Sequence, residues 1–142
     1  MTVRPDTARV HDSLALEATA GYSRAARCGT VIAVSGTTAN APDGSALHPG
    51  DTGAQARAAL GHALACVREL GGSRESVVRT RLLLTPDADW RAASAAHAEL
   101  LGDVAPANST YVVHALVGDG FLVEVEVDAV AVAGDDPAGV AG

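Results

Sequence analysis

Three carboxylates at alternate positions, Glu124, Glu126 and Asp128, stand in the run Phe-Leu-Val-Glu-Val-Glu-Val-Asp-Ala-Val-Ala-Val near the C-terminus. The residues between them, with Phe121 before and Ala129 after, complete a period of two. The acids therefore share one face of a strand and the apolar side chains the other. The β-branched density predicts a central strand, where such a row must face either cations or a polar cavity. A carboxylate in a dry site can take a proton from an attacking water. Cations in the same pattern lie upstream, where Arg79 and Arg81 alternate with Thr80 and Leu82 in Val77–Leu84.

Other chemistries are excluded by what the chain lacks. All ten basic residues are Arg, so no lysine is available for a Schiff base or for tethering pyridoxal phosphate. Cys28 and Cys66 are in no metal spacing and are expected as buried free thiols, one in a helix and one beside a strand. The five histidines are scattered, so no metal site and no cofactor is expected. A net charge of −7 without a basic run argues against nucleic acid and anionic membrane as partners. No apolar run reaches the roughly 18 residues of a membrane span, and the first residues lack the apolar stretch of a signal peptide. A cytoplasmic location is the expectation.

The elements that position these residues follow in order. At 142 residues the chain predicts one domain, with 48% hydrophobic but only 3% aromatic residues in its core vocabulary. Residues 1–13 are expected as a loose arm or short edge strand, 14–20 as extended chain, and 134–142 as a flexible tail. Gly21–Gly29 and Thr30–Gly36 predict a hairpin turning near Cys28-Gly29-Thr30, and 37–50 has loop chemistry. A helix starts at a possible capping box, Thr52 to Gln55, carries Ala56, Leu60, Ala63, Leu64, Val67 and Leu70, and stops at Gly71-Gly72. A second, from about Asp89 to Leu101, places His97 on its apolar stripe with Trp90, Ala93, Leu100 and Leu101, as a hydrogen-bonded core histidine rather than a catalytic one. Pro106–Val132 predicts a second hairpin through Gly118-Asp119-Gly120. Two helices can cover only one face of the sheet, so the domain is a two-layer α+β fold with the charged face open, either joined to other subunits there or neutralised by ion pairs.

Six motifs in this order carry a resemblance: Gly21-Tyr-Ser-Arg-Ala, Val34-Ser-Gly-Thr-Thr, Gly50-Asp with Gln55, Val77-Val-Arg-Thr-Arg-Leu-Leu-Leu, Pro106-Ala-Asn-Ser-Thr, and Val123-Glu-Val-Glu-Val-Asp-Ala-Val. Over about residues 14 to 133 the chain resembles the RidA/YjgF family of enamine/imine deaminases. The resemblance implies a chorismate-mutase-like fold, a mixed sheet with two helices on one face, and a homotrimer with ligand clefts between subunits. Of the three acids it selects Glu126 as the group that positions the hydrolytic water, leaving Glu124 a minor part. Tyr22 would line the cleft, with Asn108, Ser109 and Thr110 as walls and hydrogen-bond donors. Asn108 stands where the family carries the Arg that clamps a substrate carboxylate, which marks a divergent branch. Arg24 replaces a usual Gln and Arg81 a usual small residue. Each either supplies a new anion contact or pairs with an acid, Arg24 with Glu17 and Arg81 with the last strand.

These readings give a small-molecule hydrolase acting on a reactive imine or enamine. Its alternatives are a tailoring enzyme of specialised metabolism using the same cleft on a larger or carboxylate-free substrate, and a non-catalytic ligand-binding trimer.

Overall fold

The computed structural model describes residues 6–132. Six strands, β1 (Thr7–Val10), β2 (Ala25–Cys28), β3 (Val31–Thr37), β4 (Val77–Leu84), β5 (Ala107–Val112) and β6 (Val123–Val130), form one sheet. Their order is β1-β2-β3-β6-β4-β5, with only β4 and β5 parallel. Helices α2 (Thr52–Glu69) and α3 (Trp90–Leu101) pack on one another and supply the second layer, and α1 (Ala15–Ala20) is a short helix between β1 and β2. The predicted α+β class with one covered sheet face is what forms.

The core lies between the sheet and the two long helices. Ile32, Leu82, Leu84, Val123, Val125 and Val127 project from the strands against Leu60, Ala63 and Val67 of α2 and Ala93, Ala96 and Leu101 of α3, all of them buried. Alanines at these helix positions let the layers approach closely, which compensates for the scarcity of aromatic rings. Burying each Leu or Val side chain is worth about 1.5–3 kcal/mol.

Several local expectations are corrected. The segment Leu14–Ala20 is helical rather than extended, with Gly21 in the left-handed conformation closing it at φ 75°. The strand before Gly29 is shorter than expected, beginning at Ala25, although the two-residue turn at Gly29-Thr30 falls as predicted. Cys28 is exposed at that turn rather than buried, while Cys66 is buried in α2. Of the expected N-terminal arm, Thr7–Val10 pairs with β2 as an edge strand. The expectation for 134–142 lies outside the described residues.

The larger correction concerns Pro106–Val132. It is not a hairpin, because β4 lies between β5 and β6 and pairs with both. The α3 crossover delivers β5 parallel to β4 at the sheet edge, and the chain then returns over the end of β4 to enter the centre as β6. That return is tied by bonds from Val113 N–H to the Leu84 carbonyl (2.8 Å) and from Thr85 N–H to the Leu122 carbonyl (3.0 Å). The connection is longer than the two to five residues of ordinary hairpin loops. In the same register, β4 bulges at Val78: Val77 opposes Ala129, Arg79 opposes Asp128, and Val78 is exposed instead of joining Thr80 in the core.

Capping of the first long helix also differs from expectation. Asp51 caps α2, accepting from Ala54 N–H at 3.0 Å, and Thr52 Oγ1 accepts from Asp89 N–H at 3.0 Å, linking the starts of the two long helices. Asp89 caps α3. Trp90 lies outside the apolar stripe, half exposed beneath the Arg91 guanidinium. Gln55 is wholly buried, donating to the Gly120 carbonyl (2.9 Å) and accepting from Leu122 N–H (2.8 Å), and so fastens the entry to β6 onto α2.

Gln55→Leu leaves both of those backbone groups without partners. It is expected to destabilise the fold by about 2–3 kcal/mol, read as a lower midpoint in chemical denaturation, whereas a loss under 0.5 kcal/mol would remove the clamp.

Candidate functional site

The uncovered face is built by β6 and β4 in register. Glu126 stands opposite Arg81, Asp128 opposite Arg79, and Glu124 opposite Leu83. Arg81 Nη1 donates to Asp128 Oδ2 at 3.1 Å and lies 3.9 Å from Glu126 Oε1. Arg79 donates to Ser109 Oγ of β5 at 3.3 Å. The charges thus partly neutralise one another within the protomer, and Arg81 is paired with the last-strand acids. Glu126, near the middle of this face, accepts no hydrogen bond from the described residues, and its side chain is 38% exposed.

Glu124 has a different setting. No arginine opposes it, and its carboxylate lies directly over Gly36, where an added methyl group would overlap it. Gly36 belongs to an irregularity in β3 between Val34 and Thr37, opposite Val127 and Val125. Burial, then the charge of Glu126, push the Glu124 carboxyl above the ordinary carboxylate value, while Arg24 pulls it down.

Arg24 is buried beside this point. Its Nη2 donates to the Gly36 carbonyl at 2.5 Å, its Nη1 lies 4.0 Å from Asp12 Oδ2, and its Nε is buried without an acceptor among the described residues. The guanidinium carbon is 6.0 Å from the Tyr22 ring centroid. The expected alternative for Arg24, a pair with Glu17, does not form. Glu17 folds back onto the start of α1, accepting from the N–H groups of Asp12 (2.9 Å) and Leu14 (3.4 Å), with His11 Nδ1 3.3 Å away. Burial raises the Glu17 pKa, but those N–H groups and His11 outweigh it and the net shift is downward.

Tyr22 and Glu17 line a cavity of about 670 Å³ between β1 and α1, together with Arg9, His11, Leu14 and Ser23. A smaller cavity of about 200 Å³ lies between Asp12, Leu14, Pro42 and His62. Among the described residues no His, Cys, Asp and Glu group has the arrangement to hold a metal ion, and no helix is long and apolar enough to cross a membrane.

The protomer does not gather all the candidate residues on one surface. Glu126, Arg81 and Ser109 share the open face. Because β5 alternates, Asn108 and Thr110 lie level with Thr80 and Leu82, on the side of the helices. The Asn108 amide donates to Thr80 Oγ1 (3.0 Å), its carbonyl accepts from Thr110 Oγ1 (3.0 Å), and Thr80 Oγ1 also meets His97 Nε2 at 2.7 Å. His97 is thus the hydrogen-bonded histidine expected, and burial lowers its pKa, favouring the neutral ring. Sequence reasoning missed this Thr80-His97-Asn108 network because its members come from three elements. It also missed the Gly36 seat of Glu124, whose only sequence signal is a glycine inside an apolar strand.

Comparison with known proteins agrees with this architecture. The family model described as Endoribonuclease L-PSP matches residues 12–131. A Streptomyces coelicolor protein, SCO2049, is 36% identical over 121 residues, covering 85% of this chain and 90% of its own. The crystal structure of Rv2704 from Mycobacterium tuberculosis, a member of the YjgF/YER057c/UK114 family, is 34% identical with a TM-score of 0.78, covering 88% of this chain and 99% of its own. The structure of E. coli TdcF with bound serine shares the fold at 21% identity and a TM-score of 0.71, covering 91% and 98% of the two chains.

The lowered pKa of Glu17 fixes the sign of a stability effect. Its contribution is present above the ordinary carboxylate value and lost as pH falls through the lower folded value. Glu17→Gln is expected to flatten the acid side of the melting temperature against pH, and an unchanged slope there would show that Glu17 is not so stabilised.

Proposed function

The chain belongs to the YjgF/YER057c/UK114 (RidA, L-PSP) family, whose members are imine/enamine deaminases, and from that premise we propose that it hydrolyses a reactive imine or enamine at a cleft completed between subunits of a homotrimer. The observation that carries this reading is the state of Glu126. It is a carboxylate at the centre of the sheet face, 3.9 Å from the Arg81 guanidinium but accepting no hydrogen bond from the described residues, and so free to hold a water. Water attack on the electrophilic carbon of C=N requires that proton acceptor and a polarised nitrogen. No cofactor is needed for the step.

The trimer is supported by what surrounds the charges. Val31 and Val130 are exposed at one end of this sheet face, Tyr111 is exposed on edge strand β5 at the other end, level with Glu124, and Val112 is exposed on that edge. Apolar side chains rimming a polar centre are suited to contact with another copy of the face. In that assembly Tyr22 and Arg24 of one subunit and Asn108, Ser109 and Thr110 of another would wall the cleft. Asn108 offers a neutral amide where the family resemblance implies an Arg, so on this reading the site favours substrates whose binding does not depend on a charged carboxylate clamp.

The expected outcome is accelerated release of ammonia from enzymatically generated imines, with Glu126→Gln lowering the rate by about 10²–10⁴ while the protein stays folded. Asn108→Arg is expected to improve kcat/KM on carboxylate-bearing imines. Inertness of the wild type on such imines, together with a tightly bound metabolite, would favour a tailoring or ligand-binding role instead. Light scattering tests the assembly: a monomer at micromolar concentration would remove the intersubunit cleft.

A further inference from the structure

We propose that Glu124 is the second carboxyl of this site and donates the proton that the substrate nitrogen takes up while Glu126 receives one from water. This inference rests on the hydrolase reading above and gives Glu124 a larger part than the family resemblance alone allots it.

The geometry separates the two acids. They are successive residues on the open face of β6, about 7 Å apart along the strand, close enough to flank one small planar C=N group. Glu126 faces Arg81 across the register, and Asp128 is bonded to the same Arg81. Glu124 faces Leu83 and forms no ion pair with the described residues. Gly36 gives it a seat that any side chain at that position would occupy. Beneath the seat lies Arg24, more than nine-tenths buried, donating to the Gly36 carbonyl with its Nε left without an acceptor among the described residues. The charged groups facing Glu124 are therefore Glu126 on its own strand, Arg24 under β3, and Arg81 diagonally across β4. Burial and the negative charge of Glu126 favour the protonated form, Arg24 opposes it, and the net direction of its pKa is upward.

The reaction balances with these two groups alone. In the addition, water oxygen bonds to the imine carbon, Glu126 takes the water proton, and the C=N π pair moves to nitrogen, which takes the proton of Glu124. In the collapse of the carbinolamine, its hydroxyl proton returns to Glu124, nitrogen takes the proton from Glu126, and the C–N pair leaves as ammonia. The carbonyl product is released with both carboxyls in their starting states.

The test is the pH dependence of kcat on an imine generated in place by an amino-acid oxidase, for the wild type, Glu124→Gln and Gly36→Ala. The wild-type kcat is expected to fall as pH rises through the raised Glu124 value. Glu124→Gln should lower kcat at least tenfold and abolish that alkaline limb. Gly36→Ala, which displaces the Glu124 carboxylate without deleting it, should lower kcat and shift the limb. It also keeps the proposal testable if Glu124→Gln does not fold. A folded Glu124→Gln with wild-type kcat and an intact alkaline limb overturns the role of Glu124 alone. A wild type without imine turnover overturns the hydrolase reading and this inference with it.

Discussion

The register of β6 between β3 and β4 is the constraint on which the rest depends. A strand has two faces, and a slip of one residue would send Val123, Val125 and Val127 to the open side and bury three carboxylates under α2. The cost of burying even one unpaired carboxylate exceeds what any neighbouring contact returns. The same register also sets which acid meets which cation. It opposes Asp128 to Arg79 and Glu126 to Arg81, and leaves Glu124 with Leu83. Three chemically similar side chains thereby acquire three environments from one alignment of backbone hydrogen bonds.

Two devices protect that alignment. At its start, buried Gln55 holds Gly120 and Leu122 against α2, fixing where β6 begins. Along its flanks, irregularities in β3 at Ser35-Gly36 and in β4 at Val78 shift the register at different heights, where a bulge bends its strand and increases the local twist. The one in β3 also opens the backbone surface on which Glu124 rests, so a feature of strand geometry becomes part of the proposed site. Gly36 is needed there for room, not for conformational freedom.

What was legible in the sequence was whatever a local period encodes. The strand at 123–130, the alternation of β4 and the helices at 52–69 and 90–101 are all written in spacing, and so is the open charged face that follows from them. The motif order marked the family as well. Illegible were features that depend on which strand neighbours which. Nothing in Ala107–Val112 distinguishes a hairpin arm from a parallel edge strand, since its short polar residues suit both, and only the long connection through Gly118 hinted at the latter. The helix around Glu17 is not written in the sequence, because six residues of Ala, Leu, Glu and Thr carry no period. Arg24 was matched to Glu17 by charge, whereas the backbone N–H groups at the start of α1 had already claimed that carboxylate.

The divided placement of the candidate residues follows from the same sheet geometry. Asn108 and Ser109 are adjacent in sequence, so a strand must send them to opposite sides, one toward Thr80 and His97 and the other toward Arg79. A cleft that used both within one protomer would have to wrap around the edge of β5. A second subunit laid along that edge meets both sides at once, which makes an edge strand with exposed small polar residues a suitable wall for an intersubunit site. The hydrogen bonds that hold Asn108 to Thr80, and Thr80 to the neutral ring of His97, make the amide a fixed dipole rather than a mobile charge. Such a group would orient a bound molecule but add little long-range attraction, so in the proposed intersubunit site selection at this wall would fall to shape and hydrogen-bond pattern.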